Sequence, residues 1–89
     1  MAVDYKQVLE LAKSGKWDQA HQMIQPFSDT MSCLIHAYLH RVEGDTGNAR
    51  YWYNRANASM PENSLEEEFD RLYQRLESGK QQRQSSQAK

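Results

Sequence analysis

The chain has 89 residues, 38% apolar and 10% aromatic, with 11 Lys+Arg against 12 Asp+Glu and a formal net charge of -1. This length supports one small domain that buries roughly 60–65% of its unfolded surface. The apolar content is too high for a disordered chain, and the balanced charge lacks the basic excess of a dedicated nucleic-acid binder. The single cysteine, Cys33, excludes an internal disulfide and suits a reducing compartment. No stretch approaches ~18 consecutive apolar residues, so no membrane span is expected. Met1 to Lys6 lacks the basic-then-apolar order of a secretory signal. The expected location is the cytoplasm.

Taken in chain order, every periodic segment reads as helix. Tyr5, Val8, Leu9 and Ala12 follow the i, i+3, i+4, i+7 stripe, with Asp4 placed to cap the start and Gly15 to stop the end. Trp17, Ala20, Ile24 and Phe27 repeat the spacing in a second helix that Pro26 closes. Ser28, Asp29 and Thr30 offer caps for a third, which runs to Glu43 and ends at Gly44. Asp45 caps a fourth, with Ala49, Trp52, Tyr53 and Ala56 on one face. A loop holding Pro61 follows. Ser64 and Glu67 then form a capping box ahead of Leu65, Phe69, Leu72, Tyr73 and Leu76. β-branched residues are sparse and never alternate, so no strand competes. The prediction is an all-α domain over 1–77 with helices near 4–14, 17–26, 30–43, 46–57 and 64–77. Residues 78–89 carry one apolar side chain, Ala88, and read as a polar, disordered tail.

An internal repeat organises the first four helices. Gly15 and Gly44 each precede an alanine five residues on, Ala20 and Ala49, then Ile24 or Tyr53, then Phe27 or Ala56, at an offset of 29 residues. Small alanines let paired helices approach closely, and glycine turns the chain between antiparallel helices. The pattern resembles the tetratricopeptide repeat. Gly44, Ala49, Tyr53, Ala56 and Pro61 match the second half of that consensus; Gly15, Trp17, Ala20 and Ile24 match it less fully. The resemblance covers Val3 to Pro61 and implies two antiparallel helical hairpins, with the helix from Ser64 to Glu77 as a C-terminal cap. Cys33, His36 and His40 depart from it, standing where that family carries larger apolar or aromatic residues. The segment His36-Ala37-Tyr38-Leu39-His40-Arg41-Val42-Glu43-Gly44-Asp45, followed by Asn48-Ala49-Arg50-Tyr51-Trp52-Tyr53-Asn54-Arg55-Ala56, is also similar to a family of small, uncharacterised, mainly bacterial proteins. That likeness implies no activity.

Chemistry-bearing residues gather on the third and fourth helices. His36, His40 and Glu43 share one helical face at i, i+4, i+7. They lack the Glu that directly follows the first His in a zinc hydrolase, and Glu43 lies far along for a third ligand, so no metal or other cofactor is expected. Two readings stand beside each other: histidines that satisfy buried hydrogen bonds to Tyr53, Asn48 or Glu43, or histidines that contact a ligand. Tyr51 is expected outside with Arg55, and Trp52 and Tyr53 inside. The candidate binding surface is therefore His36, His40, Arg41, Tyr51 and Arg55. His21 reads as solvated. The acidic start of the last helix (Glu62, Glu66, Glu67, Glu68, Asp70) reads as macrodipole complementarity with pairs such as Glu67–Arg71, or as a patch for a basic partner.

No activated nucleophile and no phosphate-cradling glycine run stands out. The expectation is a non-catalytic helical module that binds a protein or peptide, with a homodimer open to so small a core. The alternative is a small-molecule or metal-binding protein, enzymatic or not, built on His36, His40 and the neighbouring arginine and tyrosine residues.

Overall fold

The computed structural model describes residues 3–88, with side chains through residue 77. The described residues form five helices and no strand: α1 (Tyr5–Lys13), α2 (Trp17–Ile24), α3 (Thr30–Val42), α4 (Thr46–Arg55) and α5 (Leu65–Ala88). The all-α expectation holds, and the first four helices end within two residues of the predicted bounds. The last helix is assigned beyond the predicted end at Glu77. The expected disorder of 78–89 lies outside the residues whose side chains are described. No described helix is long and apolar enough to cross a membrane.

Local chemistry accounts for the helix ends. The Asp4 carboxylate accepts from the Gln7 N–H at 3.1 Å, that of Asp29 from the Ser32 N–H at 3.2 Å, and that of Asp45 from the Asn48 N–H at 3.2 Å. Ser64 and Glu67 close the capping box, with Ser64 N–H donating to Glu67 Oε1 at 2.9 Å and Glu67 N–H to Ser64 Oγ at 3.0 Å. Each such cap contributes about 1 kcal/mol. Only α2 lacks a side-chain cap among α1 to α4. Its start is held instead by tertiary contact, Trp17 Nε1–H donating to the Leu39 carbonyl at 2.6 Å.

Three helices end in the same Schellman geometry. Gly15 and Gly44 take φ of 83° and 85°, and Asn57 takes 63°. In each case two N–H groups reach back to the carbonyls left over at the helix end: Gly15 to Ala12 and Lys16 to Leu11, Gly44 to Arg41 and Asp45 to His40, Asn57 to Asn54 and Ala58 to Tyr53. The Asn57 turn was not anticipated from the sequence, because asparagine enters the left-handed region less readily than glycine.

Helix α3 is the spine. Every residue from Ser32 to His40 is buried, and α3 packs on α1, α2, α4 and α5. Ala20 and Ala49 are fully buried where the repeat demands small residues. Phe69 and Leu72 of α5 close the core, and Tyr5–Asp29, Lys6–Glu77 and Tyr73–Glu10 contacts tie α1 to its neighbours.

The acidic start of α5 departs from expectation. Glu68 is fully buried. It accepts from Tyr53 Oη at 2.8 Å, Asn63 Nδ2 at 2.8 Å, and both Arg71 Nε and Nη2 at 2.8 Å. Burial pushes the Glu68 carboxyl up, but these donors together pull it below its ordinary value. Arg71 therefore serves Glu68, and the expected Glu67 partner is committed to the cap. Four donors converging on two oxygens make the burial of this charge tolerable.

Candidate functional site

Two turns of α3 and one face of α2 bring three imidazoles together. The i, i+4 spacing aligns His36 and His40, whose rings lie 5.0 Å apart at 22°. His21 of α2 meets them edge-on, at 4.8 Å and 87° to His36 and at 5.4 Å and 72° to His40. His21 Nε2 and His36 Nε2 are 3.1 Å apart. Two indoles clamp the group. Trp17 stacks on His21 at 4.6 Å, and Trp52 of α4 stacks on His36 at 3.9 Å. The Trp17–Leu39 bond fixes one indole to the spine, so α2, α3 and α4 all position this cluster.

His21 is thus half-buried in the cluster, a correction to its reading as a solvated side chain. The available signal was its i, i+4 spacing from Trp17, itself on the apolar face. Which side of α2 meets α3 depends on how the helices cross, and that cannot be read from either helix alone.

The electrostatics favour a neutral imidazole at His36 and at His21. His36, 2% exposed, is pushed down to about 4 by burial first, then by the charges of His21, His40 and Arg55. His21 is lowered by burial and then by His40. The carboxylate of Glu43 accepts from His40 Nδ1–H at 2.8 Å, which leaves His40 Nε2 as the free ring nitrogen. His36 Nδ1 is buried with no hydrogen-bond partner. The expected imidazole partners resolve accordingly. Glu43 is one, whereas Tyr53 Oη donates to Glu68 and Asn48 Nδ2 donates to Asp45 at 2.7 Å.

The predicted binding surface divides into two. Arg55 lies over the Trp52 ring at 4.9 Å and the Tyr51 ring at 5.8 Å. Tyr51 is 53% exposed and meets Trp52 edge-on at 5.2 Å. Tyr51, Arg55, Trp52 and His36 therefore form one continuous chain of edge-on, cation–ring and stacked contacts from solvent to core. Arg41 points elsewhere. Its guanidinium donates to Asn63 Oδ1 at 2.8 Å, to the Asn63 carbonyl and to Tyr53 Oη, bracing the loop before α5. Trp52, expected in the core, is only partly buried and serves as the bridge between cluster and surface.

Among the described residues, two sets of side chains could hold a metal ion: His21, His36 and His40, and His40, Glu43 and Asp45, the ligand atoms of each lying within 4.8 Å of one another. In the second set both carboxylates are already engaged, Glu43 with His40 and Asp45 with the α4 cap. Cys33 is no activated nucleophile: it is buried, its thiol is pushed up by burial, and Sγ donates to the Ser28 carbonyl at 3.5 Å. Fold and site define an all-α protein with an aromatic-clamped histidine cluster beneath an exposed tyrosine–arginine stack. No family model, curated protein or solved structure matches this chain.

Proposed function

We propose that this chain is a non-catalytic helical interaction module of the cytoplasm, binding a protein or peptide partner across the outer face of α4. The observation that carries the proposal is the exposed Tyr51 with Arg55 lying over both it and Trp52. Tyrosine, tryptophan and arginine are the side chains that dominate binding energy at protein interfaces. Here they are held in register by edge-on and cation–ring contacts, which lowers the entropy lost on binding. The left-handed glycine turns at a 29-residue offset, with a buried alanine five residues after each, support a tetratricopeptide-like scaffold beneath this face. The balanced charge supports a protein rather than a nucleic-acid partner.

Selection of binders from a peptide library with the full chain as bait, repeated with Arg55→Ala, tests this function. Arg55 is exposed, so its removal should leave the melting temperature within the range of an ordinary surface change, about ±0.5 kcal/mol. Recovery should fall at least about tenfold, the loss of one modest hot-spot contact. Full recovery by Arg55→Ala would move the binding surface to the acidic start of α5.

A second reading, a small-molecule or metal site, is favoured by one observation: His36 and His40 converge with a third imidazole rather than with hydrogen-bonding partners alone.

A further inference from the structure

We propose that His21, His36 and His40 are the three protein ligands of a divalent transition-metal ion of the zinc type, with Glu43 orienting His40 from behind. This site does not rest on the docking face proposed above.

The geometry of the rings carries the inference. Three imidazoles on one tetrahedral ion, with metal–nitrogen distances of about 2.0–2.1 Å, have ring centres roughly 5.2 Å apart and ligating nitrogens roughly 3.3 Å apart. The three ring centres here are 4.8, 5.0 and 5.4 Å apart. The His21 and His36 Nε2 atoms are 3.1 Å apart. All three ligand atoms lie within 4.8 Å of one another, so modest side-chain rotation would bring the widest pair onto one ion. His36 and His40 are stacked at 22°, so one of the two rings must turn about χ2 to aim its nitrogen at an ion shared with His21. His21 stands nearly perpendicular to the other two and approaches from a different helix.

Three further observations point the same way. His40 Nδ1 is bonded to Glu43, leaving Nε2 free, which is the carboxylate–histidine arrangement that fixes a ligand's tautomer and raises its basicity. His36 is 2% exposed; its Nε2 meets His21 Nε2 at 3.1 Å and its Nδ1 has no partner, so the protein meets the ring's hydrogen-bonding needs only in part. A purely structural histidine buried this deeply would be expected to satisfy both nitrogens. The two indoles hold the rings in place and exclude water, while half-exposed His21 leaves an edge for entry and for a water at the fourth position. Three neutral nitrogens with no carboxylate in the set suit zinc, cobalt, nickel or copper, and do not suit magnesium or calcium.

The test uses full-length, tag-free protein stripped with a chelator and dialysed against Zn2+, with metal counted per chain and Co2+ as an optical probe. The expected result is one Zn2+ per chain, bound tighter than about 10 μM, and the intense visible absorption of tetrahedral Co2+. Zinc should also raise the melting temperature, because the ion binds only the folded site. His21→Gln removes the ligand that sits outside the spine and is only half-buried. Without metal this variant should still melt cooperatively, a little below the wild-type chain because the stacking on Trp17 is lost, but it should lose the Co2+ band and bind zinc at least about tenfold more weakly. Glu43→Gln should weaken binding by about 10–100-fold. Failure of the wild-type chain to bind zinc would overturn the site. Undiminished binding by His21→Gln would overturn it as well, and its loss in Asp45→Asn would then place the ion among His40, Glu43 and Asp45.

Discussion

His36 and Glu68 are both buried and polar, but they differ in how far their needs are met. Glu68 has four donors on its two oxygens, whereas His36 has one contact at Nε2 and an unpaired Nδ1. An unpaired buried polar atom costs about 1–3 kcal/mol, while ring stacking such as that on Trp52 returns about 0.5–1.5 kcal/mol. His36→Leu in chelator should therefore leave stability within about 1 kcal/mol of the wild-type chain, or raise it. Glu68→Gln puts an amide among donors and should cost about 1–3 kcal/mol. Urea unfolding of the two variants side by side checks this ordering. A large loss from His36→Leu in chelator would show that the ring is needed for the fold.

At the scale of elements, turns and alanines set how helices meet. Gly44 sits at φ 85° with open space around the position a Cβ would take, so Gly44→Ala carries a backbone cost and no clash. Left-handed backbone costs an L-residue roughly 1–2 kcal/mol, and thermal unfolding should show that loss without a change in helical content. Ala49 is fully buried on α4, which packs against α3. Ala49→Leu should overpack that interface and cost about 1–3 kcal/mol. Because α4 also carries Trp52, the same variant should disturb the stack on His36, visible as altered tryptophan fluorescence. An unchanged melting temperature would contradict the repeat register.

For the whole molecule, pH gathers the buried groups into one observable. His36 and His21 have lowered values in the folded chain, so the unfolded chain binds more protons as pH falls from the ordinary histidine range. Stability is then lost on acidification. For His36 the window runs from 6.5 to about 4, and a shift of that size corresponds to a loss on the order of 3 kcal/mol. Glu68 and Asp29 are also lowered in the folded chain, and their contribution is lost at still lower pH, as the carboxylates protonate. Metal-free protein should thus lose stability in two stages, and His36→Leu should flatten the first while sparing the second. A wild-type melting temperature that is level between pH 7 and pH 5 would be contrary to a buried, neutral His36.

The five helices, their aspartate and serine caps, two of the three left-handed turns and the central place of α3 were legible in the sequence, because each depends on residues within a turn of one another. So was the exposure of Tyr51 beside Arg55, which follows from 100° per residue on one helix. The site was legible only in part. His36 and His40 could be paired from their spacing, and Glu43 was named as one partner. That His21 would complete the group depended on the rotation of α2 against α3. The same is true of Arg41, drawn to Asn63, and of Glu68, which lies fully buried within an otherwise exposed acidic run. Local propensity and capping act within one helix, whereas the direction in which a side chain meets another helix is set by the crossing of both. Only the tertiary structure contains that crossing.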